Sequence, residues 1–191
     1  MIFSYGFLEQ DMVTAKELFL DLDIPDDDPL KFAKKAVSRS APGFRLFSTG
    51  GATSWEGDFI WLICVNEEDG LDFQVKQTND GGKELEVHWK DAVTADVGRL
   101  KEVLTRDPLW AVFQLRATAI IQDRMQLQLS ILNATEEQAQ SARGSPHVSL
   151  DVWKTATRLR ELEWGLLSKA DQDFEQVVRR ISEFENALKL E

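Results

Sequence analysis

The chain has 191 residues, 43% of them hydrophobic, a composition that argues against intrinsic disorder. Its 22 basic and 33 acidic side chains leave a net charge of −11, which argues against nucleic-acid phosphates and anionic membrane surfaces and leaves basic protein surfaces as the complementary partner class. One cysteine, no run of 18 apolar residues and no signal or transit pattern predict an intracellular protein, cytoplasmic or nuclear, in a reducing compartment.

The chain enters at once on Met1-Ile2-Phe3-Ser4-Tyr5-Gly6-Phe7 and soon reaches Leu18, Leu20, Leu22 and Ile24, which alternate with Phe19, Asp21 and Asp23 before Pro25. This period of two predicts a half-buried strand. A strand needs a sheet to join, and the next 35 residues show no partner pattern. The expectation is that part of a sheet lies outside the chain.

An acidic link follows, Pro25-Asp26-Asp27-Asp28-Pro29. Asp28 before Pro29 predicts a helix start, with a side-chain acceptor and then a residue that needs no donor. Consecutive aspartates at a helix start cannot all aim at one ion, so capping is preferred over metal binding. The helix predicted here places Leu30, Ala33 and Val37 on one face and lysines on the other. Residues 43–57 read as loop, and Gly50-Gly51 lacks the lysine-serine tail of a phosphate loop. Phe59–Val65 is a buried apolar run that strand and helix could both claim, with helix preferred; Cys64 within it reads as an inert buried thiol.

Two alternating runs, 71–77 and 84–90, flank Asn79-Asp80-Gly81-Gly82 and predict a β-hairpin. From residue 93 onward the pattern is helical. One helix is expected over about 95–105 and a second from Asp107-Pro108 to about Asn133, with Leu109, Phe113, Ala117, Ile120, Leu127 and Ile131 as its apolar positions. Residues 133–147 read as a polar, mobile loop. Leu159, Leu162, Leu166, Ala170, Phe174, Val177, Ile181, Phe184 and Leu188 then advance in steps of three and four. They form one stripe on a long helix, expected to pack antiparallel on the 107–133 helix, with self-association as the other way to bury it.

Chemistry-bearing clusters are sparse. His88 and His147 have no ligand-spaced partners, so no zinc site is expected. No nucleophile elbow occurs. Among six tryptophans, Trp61 and Trp110 read as core, while Trp55 and Trp153 are the candidate partner-binding anchors.

The order Ser4-Tyr5-Gly6-Phe7, a strand reading Leu-x-Leu-x-Leu-x-Ile-Pro, an acidic link and a helical tail resembles the end of a SET domain joined to its substrate-binding domain. The closest type is the Rubisco large-subunit methyltransferase-like group of protein-lysine methyltransferases. The resemblance implies residues 1–28 as the tail of a SET domain and residues 29–191 as a substrate-binding domain, mainly α, with a short N-terminal strand and one hairpin. It implies Tyr5 as the residue lining the lysine channel. The glycine-rich cofactor loop and Asn-His motif of that family lie upstream of the tyrosine. No cofactor is therefore expected to bind this chain, S-adenosylmethionine being implied for a longer parent protein. The expected function is recognition of a protein substrate, without catalysis by the chain alone. The alternative is a stand-alone helical scaffold, with self-association through the N-terminal strand or the C-terminal helix.

Overall fold

The alternating N-terminal segment forms β1 (Glu17–Asp21) in a computed structural model that describes residues 15–38, 42–90, 92–94 and 97–188, with side chains through 176. Leu20, Leu22 and Ile24 are buried, and Phe19, Asp21 and Asp23 face outward. The partner expected outside the chain lies within it. β1 is followed in one sheet by β2 (Gly43–Thr49) and β3 (Ala52–Glu56), in the order β1-β2-β3. Bonds from Leu22 N to Pro42 O (3.1 Å) and from Ser48 N to Lys16 O (3.0 Å) set an antiparallel register. The loop expected at 43–57 is thus corrected to two strands. Phe44 and Leu46 supply a period of two, short enough to be masked by glycine, serine and threonine. Gly50 and Gly51, at φ +59° and +85°, make the two-residue turn that strand twist favours. A side chain is excluded at Gly43, where a Cβ would sit 2.4 Å from Leu20 O.

The chain gathers into two compact units. One contains Phe19–Arg45 and Glu56–Ile121; the other contains residues up to Leu18, Leu46–Trp55 and Gln122 onward.

The first of these holds α1 (Lys31–Val37) and α2 (Asp58–Ile63), so the helical preference for the 59–65 run holds. Asp28 Oδ1 accepts from Leu30 N at 2.8 Å, but the helix begins at Lys31 with Leu30 before it and no side-chain cap, two residues later than the Asp28-Pro29 start expected. Leu30, Ala33 and Val37, the face expected to be apolar, are half-buried, but the fully buried residue is Lys34, one of the lysines expected on the other face. The hairpin of β4 (Leu71–Gln77) and β5 (Lys83–Trp89) pairs Leu71 with Trp89 and Gln77 with Lys83, and an unexpected third strand, β6 (Ala92–Thr94), adds to β5. Gly70 turns into β4 at φ +108°, a left-handed position where a Cβ would also meet Lys90 Cγ at 2.6 Å. A short 3₁₀ turn, Val97–Arg99, leads into α3 (Leu100–Leu104). Trp89 meets Phe113 edge-on at 5.6 Å, and Trp61 lies 5.0 Å from Trp110.

α4 (Trp110–Ala134) starts after Asp107, whose Oδ1 accepts from Leu109 N at 2.9 Å. Its buried line is Phe113, Ala117, Ile121, Met125 and Leu132. Leu109, Leu127 and Ile131, expected on that line, are exposed. Stepping by four from Phe113 carries the buried line away from Leu127 and Ile131, because four residues overshoot one turn by about 40°, and Leu109 lies just before the helix starts.

In the other unit, α5 (Glu136–Ser141) and a 3₁₀ turn at Ala142–Gly144 occupy most of the segment expected to be a mobile loop. α6 (Leu150–Leu188) is the long helix, with Leu162, Leu166, Ala170 and Phe174 buried as the stripe requires. Arg160 bonds to Leu132 O, while Gln122 and Gln126 both donate to Asp171 Oδ1 at 3.4 Å. These ties run antiparallel, as expected for packing within the chain. Thr53 Oγ1 donates to Asp173 Oδ2 at 2.7 Å and fastens β3 to the same helix.

Among the described residues there are six α-helices and two three-stranded antiparallel sheets. The mainly α expectation is corrected to a mixed α/β fold, because the strands of the first sheet carry turn-like composition. No helix among the described residues is long and apolar enough to cross a membrane.

Candidate functional site

Tyr5 lies outside the described residues. Trp55 is half-buried on β3, and Trp153 is half-buried in the first turns of α6. Trp153 Nε1 donates to Ala139 O at 2.7 Å, and the Arg143 guanidinium stands 5.3 Å from its ring. Trp153 therefore closes the α5 segment onto the start of α6. The exposed tryptophan is Trp164, 49% accessible. It falls between Leu162 and Leu166 of the stripe, so its register alone turns it outward. That signal was present in the sequence and points to this residue.

Trp164 lines a 300 Å³ cleft with Leu132, Asn133, Glu136, Gln140, Thr157, Arg160 and Glu161. Three helix segments build it. The last turn of α4 leaves carbonyls without intrahelical partners, and Arg160 reaches them from α6. Its guanidinium donates to Leu132 O at 2.6 Å and Thr135 Oγ1 at 3.1 Å, and lies 3.3 Å from Glu136 Oε2. Arg160 Nε is buried without a partner. Donors from Gln140 and Arg160 hold the Glu136 carboxyl below its usual range. Glu161 pairs with Arg158 at 2.9 Å on the surface. Burial pushes the neighbouring Glu163 carboxyl above its usual range. The cleft thus offers an aromatic face, carboxylates and amides. A set of this kind has the chemistry to bind and orient a ligand.

Cys64 and His88 are both buried. Cys64 is 5% exposed, donates to Trp61 O at 3.5 Å, and burial pushes its thiol up to about 12. His88 is buried on β5, with Glu86 Oε2 at 3.8 Å. No group of three or more potential ligands that could hold a metal occurs among the described residues.

The turn at Gly50-Gly51 is open, with nothing within 4 Å of either Cβ position. One cleft beside the hairpin is lined by Lys83, Glu84 and Glu86, and another by Glu67, Gly70, Asp72, His88 and Lys90. The chain matches no family model, no curated protein and no solved structure.

Proposed function

We propose that the chain is the protein-recognition part of a protein-lysine methyltransferase of the SET type, the methyl donor being held by residues beyond those described. One observation carries this reading: the order of Tyr5-Gly6-Phe7, an alternating strand, Ile24-Pro25, an acidic link and a helical body. The inward placement of Leu20, Leu22 and Ile24 supports it, since the strand after the tyrosine motif is anchored by its alternate side chains. The net charge of −11 favours a lysine-bearing protein as the bound species.

The test is the coding sequence upstream of Met1, read from the mature transcript. A glycine-rich loop and an Asn-His motif in frame are expected. Protein that includes that segment should transfer labelled methyl groups from S-adenosylmethionine to a lysine peptide, and Tyr5→Phe should cut the rate by at least tenfold. A transcript with an in-frame stop just before Met1 would overturn the reading. The scaffold alternative would then stand, favoured by the exposed Leu127 and Ile131 one turn apart on α4.

A further inference from the structure

We propose that the Trp164 cleft holds a lysine or arginine side chain of a partner peptide. This deepens the protein-recognition reading above and rests on it. Three observations carry the assignment. First, Trp164 leaves half of its ring open at a helix junction, and a tryptophan face is the best aromatic site for an organic cation.

Second, the charge at the cleft is acidic. Its charged lining side chains are Glu136 and Glu161 against Arg160, two minus one, a net of −1. Arg160 does not repel an entering cation at full strength, because its guanidinium is turned into the end of α4 and bonded there. Glu161 remains at the mouth, its side chain 59% exposed and paired only with surface Arg158, a pair that a bound ammonium can displace.

Third, Asn133 and Thr157 line the same cleft. An amide and a hydroxyl suit the main-chain groups that flank a bound side chain. An anion would meet the carboxylates of Glu136 and Glu161.

The probe is a dye-labelled seven-residue peptide with a central lysine among glycines and alanines, titrated into the full chain by fluorescence anisotropy. Matched peptides carry acetyl-lysine or glutamate at the centre. The lysine peptide should bind at least fivefold more tightly than the acetyl-lysine peptide, and more weakly as salt rises. The glutamate peptide should not bind. Trp164→Ala should weaken lysine-peptide binding by roughly tenfold, consistent with loss of a partly desolvated cation–π contact. Trp164→Phe should recover part of that loss. Glu161→Gln, a change on the surface that leaves folding intact, should weaken binding severalfold.

Absence of saturable binding, equal affinity for acetyl-lysine, or unaltered affinity in both Trp164→Ala and Glu161→Gln would overturn the proposal. Lysine-peptide binding without methyl transfer by the extended protein would leave the cleft and remove the methyltransferase reading. Methyl transfer without binding at Trp164 would remove only the cleft.

Discussion

Lys34 Nζ lies 2.6 Å from Asp28 Oδ2, and Lys34 is 0% exposed. The same ammonium donates to Val65 O at 2.9 Å. One side chain on α1 therefore ties the acidic link to the segment that leaves α2. Asp28 serves twice, because its other oxygen accepts from Leu30 N.

Removing Asp28 should leave a buried ammonium with only a carbonyl for company. Asp28→Ala is expected to cost about 3–5 kcal/mol in urea unfolding, since an uncompensated buried charge is among the most damaging single changes. Adding Lys34→Met to that variant should restore part of the loss. A double variant less stable than Asp28→Ala would show that the ammonium is not the burdened group.

Phe174 is buried on the α6 stripe, so Phe174→Ala should destabilise the fold by about 3–5 kcal/mol. Unfolding should not depend on protein concentration. Glu161→Lys, at an exposed position on the same helix, should change stability by less than about 0.5 kcal/mol. A folded Phe174→Ala variant of unaltered stability that has lost only self-association would move the stripe to an interface between copies.

Glu163 gives a pH dependence whose sign is set by burial. Its folded carboxyl titrates above the ordinary value, with burial as the first cause and Arg160 partly opposing it. Between the ordinary glutamate range and the raised folded value, the native state binds more protons than the unfolded state. Stability should therefore fall as pH rises through that window. Glu163→Gln should raise the melting temperature at neutral pH and flatten this part of the profile. A variant that melts lower at pH 7 with an unchanged slope would show that the carboxylate is stabilising.

Cys64 should be silent in the folded protein. With its thiol pushed up to about 12 by burial, almost no thiolate forms at pH 8. An aromatic disulfide reagent should titrate less than a tenth of the thiol within minutes in buffer and all of it in denaturant. Full labelling of the native chain at the unfolded rate would contradict the buried placement.

Local pattern and tertiary placement contributed differently to this fold. Leu18 to Ile24, the 71–89 hairpin, the starts after Asp28 and Asp107, and the long helix after residue 150 were all legible in the sequence. In each, periodicity or a capping residue acts within a few positions and needs no distant partner. The first sheet was hidden although Gly50-Gly51 is itself a hairpin signal, because serine, threonine and glycine around it read as loop. The burial of Lys34 on α1 could not be read. Burying a lysine becomes favourable only when Asp28 and the carbonyl of Val65, 31 residues away, converge on it. The cleft follows the same logic. Trp164 is turned outward by its own helix register, which the sequence by itself determines. Its placement beside Asn133, Glu136 and Thr157 was decided only when Arg160 joined the end of α4 to α6, a contact between residues 28 apart that no local spacing encodes.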